Sequence, residues 1–236
     1  MKKCIAEFIG TMTLVLIGCG TAMLVGCDAA SGSGYILTAF AFGLTIVGMA
    51  YCVGNISGCH INPAVSLAVL ISGGMTPAEF VGYVISQCLG AVAGSGLLKA
   101  IFSLGNVTDM TGNGKGLGTN GLGCVGDSAA AGLLVECLLT FIFVLTILGV
   151  TSKKAKHGSF GGIVIGFTLV LVHILGIGLT GTSVNPARSF GPALIAAFSG
   201  NTTPIADLWV FVVGPFVGAV IAAFLYKYLE TPDKKQ

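Results

Sequence analysis

The chain has 236 residues, of which 54% are hydrophobic and only 8% are charged, and its formal net charge is +2. Soluble domains carry about 25% charged residues, so this chain could not cover a water-facing surface and its solvent must be largely lipid. There is no basic run with interleaved aromatic residues, so a nucleic-acid partner is not indicated.

Six apolar stretches are long enough to cross a hydrocarbon core of roughly 30 Å. They lie near residues 4–26, 35–55, 79–101, 128–150, 159–179 and 206–229. Because backbone groups cannot stay unpaired in lipid, each stretch is expected to be a helix. The sequence therefore predicts an all-α membrane protein with six transmembrane helices, forming a single domain over residues 1–236.

Two further apolar stretches, near residues 62–72 and 185–198, are too short to cross the membrane. Each begins with the same tripeptide, at Asn62-Pro63-Ala64 and at Asn185-Pro186-Ala187. Asparagine is a strong N-cap and proline is favoured at the first helical position, so each tripeptide predicts a re-entrant half-helix. Irregular backbone at membrane depth is tolerated only where protein buries it or where it lines a water-filled cavity.

The chain also repeats itself, at the offset that separates Asn62 from Asn185. Each half holds three spans, and two odd-span halves in series must have opposite topology, which is an inverted repeat. The first repeat is predicted near residues 1–111 and the second near 124–236, joined by the glycine-rich segment 112–126. Inverted topology should bring the N-termini of the two half-helices together near the midplane.

The lysines indicate which side of the membrane the termini occupy. They cluster at the N-terminus, between the fourth and fifth spans and at the C-terminus, as Lys2, Lys3, Lys153, Lys154, Lys156, Lys227, Lys234 and Lys235. With six spans these places share one side, so the positive-inside rule predicts cytoplasmic termini in a multi-pass protein of the plasma (inner) membrane. The loops of the other side hold Asp28, Asp109, Lys115, Asp127 and Asp207.

Few ionisable side chains lie within the apolar segments, and each is a functional candidate. Arg188, the only arginine of the chain, follows Ala187 in a half-helix, and His173 lies in the middle of the fifth span. Glu7 and Glu136 begin the first and fourth spans at matching positions. Each carboxylate is expected to accept backbone N–H groups of a re-entrant loop, and a proton relay is the alternative.

The eight cysteines form neither CxxC pairs nor Cys/His clusters. They are interpreted as small residues of the lipid phase, and a bridge between Cys27 and Cys124 is left open. The sequence contains no nucleophile–base constellation and no cluster of metal ligands. Neither an enzyme nor a cofactor or metal site is therefore expected.

These segments together resemble the aquaporin, or major intrinsic protein, family over nearly the whole chain. The resemblance is carried by residues 6–11 (AEFIGT), 57–65 (SGCHINPAV) and 181–189 (GTSVNPARS). It implies a homotetramer in the lipid bilayer, with one pore in each subunit and water as the permeant. It also implies that Asn62 and Asn185 donate side-chain hydrogen bonds to a water at the midplane.

Within the family, the chain is similar to bacterial water channels. That likeness implies a narrow filter formed by Phe42, His173, Thr182 and Arg188, and loop-bracing roles for Glu7 and Glu136. The polar wall of the pore is expected to be a ladder of backbone carbonyls, from Gly58, Cys59, His60, Ile61, Gly181, Thr182 and Ser183. Ser189, Ala193 and Phe211 are also similar to the water type, whereas Val212 stands where water-selective members often have tryptophan.

The predicted function is a passive transmembrane water channel that excludes protons and ions. A facilitator of glycerol or other small neutral solutes with the same fold is the first alternative. An ion-coupled secondary transporter is the second, and it would need a titratable pair along a substrate path.

Overall fold

The computed structural model describes residues 1–27, 32, 34–112, 116–152, 154 and 158–231. These residues form helices and connecting loops, and no strand occurs among them. Six charged residues of the orientation analysis lie outside the described residues, namely Asp28, Lys115, Lys153, Lys156, Lys234 and Lys235.

Six of the helices are long and apolar enough to cross a membrane. They are α1 (Lys2–Val25), α2 (Tyr35–Ser57), α4 (Pro77–Leu104), α5 (Ala129–Thr151), α6 (Gly161–Thr180) and α9 (Val210–Glu230). The six predicted spans are thus confirmed. The last span begins later than predicted, because residues Thr203–Ala206 form a separate one-turn helix, α8.

Both half-helices are present as well. They are α3 (Pro63–Ile71) and α7 (Pro186–Phe198), and each begins directly after a motif asparagine in extended conformation. At 1.5 Å per residue, the nine residues of α3 cover about half of a hydrocarbon core. The predicted pair of re-entrant half-helices is therefore confirmed.

Helices at matching positions in the two halves pack in the same way. Helix α1 packs along α4, and α5 packs along α9 in the second half. Each half-helix packs mainly against the last long helix of the other half, α3 on α9 and α7 on α4. Each half-helix therefore packs mainly on the half of the chain to which it does not belong.

Glycines permit the closest helix crossings, as small residues do in membranes. At the crossing of α2 and α6, a Cβ atom on Gly43 would lie 2.5 Å from the carbonyl oxygen of Gly166. A Cβ atom on Gly166 would lie 2.5 Å from the carbonyl oxygen of Gly43. Gly94 of α4 meets the backbone of α1 in a similar contact, with the carbonyl of Met12.

We predict that Gly43→Val destabilises the protein by about 1–3 kcal/mol, the usual cost of overpacking. The new side chain would collide with the Gly166 carbonyl and with Val170. Thermal unfolding of the purified protein in detergent measures the effect. Gly48→Ala on the same helix is the matched control, because no neighbouring described atom lies within 4 Å of a Cβ there. Equal stability of the two variants would contradict this packing.

Candidate pore

The two half-helices meet through their capping asparagines. The Oδ1 atom of Asn62 accepts from the Ala64 N–H at 2.8 Å, while its Nδ2 donates to the Val184 carbonyl at 2.7 Å. Asn185 likewise caps its own helix, and its Nδ2 donates to the Ile61 carbonyl at 2.9 Å. Each amide thus joins its own helix end to the loop of the other half. Because an amide nitrogen carries two hydrogens, each side chain keeps a second N–H for another acceptor.

The loops before the half-helices are strained at matching positions. Cys59 and Ile61 in one loop, and Thr182 and Val184 in the other, have φ angles between 41° and 51°. This left-handed conformation costs roughly 1–2 kcal/mol for a residue with a Cβ, and β-branched residues rarely adopt it. Such strain persists only where surrounding contacts hold the backbone in place, and it clusters at functional sites.

A fully buried carboxylate of α1 holds the first loop. Glu7 accepts hydrogen bonds from the Ser57 hydroxyl at 2.6 Å and from the backbone N–H groups of His60 and Ile61 at 2.9 and 2.6 Å. The Gln87 amide of α4 donates to the same carboxylate at 2.7 Å. Bonds to a charged acceptor are stronger than neutral ones, so this carboxylate offsets part of the strain.

Glu136 of α5 does the same for the second loop. It is fully buried, and it accepts from the Thr180 hydroxyl at 2.6 Å and from the backbone N–H groups of Ser183 and Val184 at 2.9 and 2.8 Å. The matching contacts of the two glutamates support the predicted loop-bracing role.

The four predicted filter residues are all buried, with 3% or less of each residue exposed. The rings of Phe42 and His173 are stacked, with centroids 4.6 Å apart and planes at 27°. The guanidinium carbon of Arg188 lies 5.0 Å from the centroid of Phe42. Thr182 contacts Gly176, which lies one turn after His173 in α6. The structure thus brings Phe42, His173 and Arg188 together, whereas the Thr182 side chain packs against α6 and lines neither of the two cavities described below.

Three polar atoms of this group are buried and have no hydrogen-bond partner in the described part of the chain. They are Nε2 of His173, Oγ1 of Thr182 and Nε of Arg188. The Nδ1 atom of His173 lies 2.9 Å from the Leu169 carbonyl, which can only accept, so Nδ1 carries the hydrogen and Nε2 is an acceptor. Buried polar groups are normally paired, so the group is suited to a polar solute.

A narrow cavity connects Phe42, His173 and Arg188 with the two capping asparagines. Its lining combines apolar and polar residues, namely Leu14, Phe42, Ile46, His60, Asn62, Phe143, Leu169, His173, Ser183, Val184, Asn185 and Arg188. The volume open to the centre of a water molecule is about 10 Å³, which is room for roughly one water.

A wide vestibule of about 490 Å³ also reaches Arg188. It is bounded by the end of α1, the connection between α4 and α5, the end of α6 and the segment around α8. Arg188 lines both cavities, so it lies where the vestibule narrows.

A sequence model described as major intrinsic protein matches residues 1–226 of the chain. The chain belongs to this family. Aquaporin Z of Brucella melitensis is 45% identical over 97% of the chain and 98% of that protein. Glycerol uptake facilitator protein-like 6 of Lactiplantibacillus plantarum is 38% identical over 99% of the chain and 100% of that protein. The solved aquaglyceroporin from Plasmodium falciparum has the same fold, with a TM-score of 0.84 at 23% identity, covering 95% of this chain and 94% of that one.

Family membership and the six apolar helices make the chain a multi-pass membrane channel. Its relatives include proteins named for water and for glycerol, so the family alone does not select the permeant. The family is one of channels, and enzymatic activity is not indicated.

Three residues of the predicted carbonyl ladder line the two cavities of this major intrinsic protein. His60 and Ser183 line the narrow cavity, and Gly181 lines the vestibule. Gly58 and Cys59 precede His60 in the braced loop. The Ile61 carbonyl already accepts from Asn185, which leaves it one lone pair for a solute.

Two carboxylates and two thiols line the vestibule. Burial raises the pKa of the Asp207 carboxyl, and the nearby Asp127 carboxylate raises that pKa further. Burial also raises the pKa of the Cys27 thiol, which lies 3.0 Å from the Thr38 hydroxyl. Cys27 and Cys124 are both free thiols, so the bridge that the sequence left open is not formed.

Sequence reasoning missed Asn120, which hydrogen-bonds Arg188 directly. The residue lies in the glycine-rich connection between the halves, which the sequence shows only as a flexible loop. No local pattern marks it, because its importance comes from a contact with a residue 68 positions away.

We predict that Glu7→Gln and Glu136→Gln each destabilise the protein by about 2 kcal/mol or more, because a donor amide replaces an oxygen that accepts from backbone N–H groups. Thermal unfolding in detergent measures the loss. Glu79→Gln is the control, since this exposed residue completes the capping box of α4, where glutamine serves as well. If the buried variants are no less stable than Glu79→Gln, the two carboxylates do not brace the loops.

Proposed function

We propose that this major intrinsic protein is a passive water channel that excludes protons and ions. The observation that carries the proposal is the narrow cavity, which has room for about one water and touches both capping asparagines. Part of its lining is supplied by apolar side chains such as Leu14, Ile46 and Phe143, which bind water weakly and favour fast passage.

Protons are excluded at the midplane of the membrane, where the two half-helices meet. The second amide hydrogens of Asn62 and Asn185 are available to one water, whose oxygen accepts both and whose own hydrogens then point outward. The positive ends of α3 and α7 meet at the same place, and they oppose any cation there. A continuous chain of donated hydrogen bonds through the pore is thereby interrupted.

The filter selects by size and by hydrogen bonding. The stacked rings of Phe42 and His173 narrow the passage next to the fixed charge of Arg188. The polar atoms of His173 and Arg188 that have no partner among the described residues replace part of the hydration shell of a passing water, as polar linings do in other channels. Glycerol is too wide for a passage that accommodates one water.

We further propose a single domain over residues 1–236 with inverted repeats near 1–111 and 124–236. Four such chains form a homotetramer in the plasma membrane, with one pore in each subunit. The matching helix pairs of the two halves support the repeat. The resemblance to the family supports the tetramer.

The termini are proposed to face the cytoplasm. Lys3 pairs with Glu79 at 2.8 Å, so the start of α1 and the start of α4 share one face of the protein. Lys154 donates to the Glu230 carbonyl at 2.7 Å, which places the loop between α5 and α6 beside the end of α9. These basic residues lie on the side that the positive-inside rule assigns to the cytoplasm, so the vestibule opens outside.

A facilitator of small neutral solutes is the second candidate. It is favoured by the 38% identity to a protein named as a glycerol uptake facilitator and by Val212, which stands where water-selective members of the family often have tryptophan. The ion-coupled transporter has less support, because each buried glutamate is engaged by at least three hydrogen bonds and neither lines the narrow cavity.

Stopped-flow light scattering on proteoliposomes tests the function. We expect osmotic water permeability well above that of empty liposomes, and glycerol permeability close to theirs. Glycerol flux comparable to water flux would identify a facilitator instead. Transport that depends on an imposed ion gradient would contradict both channel proposals.

The same assay tests the filter. We predict that Phe42→Trp combined with His173→Gly admits glycerol, because removal of the imidazole opens the passage beside Arg188. Phe40→Trp is the matched control, since this α2 residue packs against Phe167 outside the two cavities. A double variant that conducts water without any gain in glycerol flux would mean that the narrowest point lies elsewhere.

A further inference from the structure

A buried carboxylate orders the connection between the two halves. Asp109 is 8% exposed, and it accepts from the backbone N–H and hydroxyl of Thr111 at 2.8 and 2.6 Å and from the Leu117 N–H at 2.8 Å. The Met110 N–H donates to the Met23 carbonyl at the end of α1, also at 2.8 Å. The described residues 109–112 and 116–121, here named the strap, are thereby held across the vestibule.

The strap carries Asn120, which is 3% exposed and uses both the oxygen and the nitrogen of its carboxamide. Its Oδ1 accepts from Nη1 of Arg188 and from the Ser189 hydroxyl, each at 2.8 Å. Its Nδ2 donates to the Thr180 carbonyl at 3.2 Å. One side chain therefore ties the start of α7, which carries Arg188, to the end of α6.

The setting of Arg188 depends on this contact. Within the described part of the chain, the Asn120 oxygen is the acceptor recorded for the guanidinium, and Nε has none. The Phe42 ring also lies near the guanidinium, and it attracts the cation but does not fix its rotation. A long side chain with a single hydrogen bond is oriented by that bond.

We propose that Asn120 is a positioning residue of the filter. Its carboxamide oxygen holds the Arg188 guanidinium beside Phe42, and so sets the discrimination between water and larger neutral solutes. The proposal rests on the proposed function, since it presumes that solutes pass Arg188. The contact comes from the connection between the halves, which occurs once in the chain, so the first repeat does not duplicate it.

The hydrogen bond between Arg188 and Asn120 has a charged donor, and such bonds are stronger than neutral ones. In a buried site, such a bond favours the bonded orientation of the guanidinium over its other orientations by about ten-fold or more. Without the acceptor, the guanidinium would sample orientations that change the width of the passage. Water is small enough to pass in most of them, so we expect the effect on glycerol to exceed the effect on water.

Three variants test this role in proteoliposomes, with water and glycerol permeability measured on the same preparations. Asn120→Leu keeps the volume and removes all three hydrogen bonds of the side chain. Asn120→Asp keeps an acceptor for Arg188 and Ser189 but loses the donor to Thr180. Thr119→Ala is the control, because it alters the neighbouring residue, whose recorded hydrogen bond is made by its backbone.

We expect Asn120→Leu to raise the ratio of glycerol to water permeability by about three- to ten-fold, following the strength of the lost bond. Asn120→Asp should stay within about two-fold of the parent ratio, because a carboxylate holds a guanidinium at least as well as an amide does. Thr119→Ala should match the parent. Asn120→Ala replaces the leucine variant if that protein does not fold.

An unchanged ratio in a folded Asn120→Leu or Asn120→Ala protein would overturn the proposal. An equal rise in Asn120→Asp would also overturn it, since the bond to Thr180 rather than the hold on Arg188 would then be responsible. These outcomes differ from a failure of the proposed function, in which the parent protein itself would not conduct water.

Discussion

The reciprocal hydrogen bonds of Asn62 and Asn185 join two helix ends whose dipoles repel each other. Two N-termini that meet inside a low-dielectric region each present partial positive charge and unpaired N–H groups. The Asn62 oxygen accepts from one N–H group of α3 and the Asn185 oxygen from two of α7, and the asparagine nitrogens donate to carbonyls of the opposite loop. The other features of the pore stabilise this junction and leave it accessible to a solute.

The buried carboxylates supply the missing negative charge. Glu7 and Glu136 each accept two backbone N–H groups of the loop that leads into a half-helix, close to its positive end. Because those loops hold β-branched residues at positive φ, the same bonds also maintain a strained backbone. One glutamate in each half therefore both balances the positive charge of a helix end and stabilises the strained backbone. This is a physical reason for the matching positions of Glu7 and Glu136 near the starts of α1 and α5.

The two halves differ most at the filter. The loop before α7 is followed by Arg188, whereas the equivalent position after Ala64 is the apolar Val65. A single arginine makes the pore asymmetric. The guanidinium of Arg188 needs a hydrogen-bond acceptor, and neither of the two described re-entrant loops supplies one. The strap between the halves provides it through Asn120, so an element without a counterpart in the repeat completes the site.

Several features followed from the sequence by itself. Long apolar runs in a chain with 8% charged residues must be membrane helices, and Asn-Pro must start a helix wherever it precedes a short apolar run. Two copies of that tripeptide in halves of odd span number required the half-helices to enter from opposite faces. These features are local or topological, so residue type and spacing determine them. The resemblance to the family, rather than spacing, led to the choice of Phe42 and Thr182.

Only the tertiary structure decided the contacts between distant segments. It paired each asparagine with the carbonyl of the opposite loop, and it stacked His173 on Phe42. It also carried Asn120 from a glycine-rich connection onto Arg188. Such contacts depend on how the helices cross and how loops fold back over them, and hydrophobic pattern and capping signals carry no information about either.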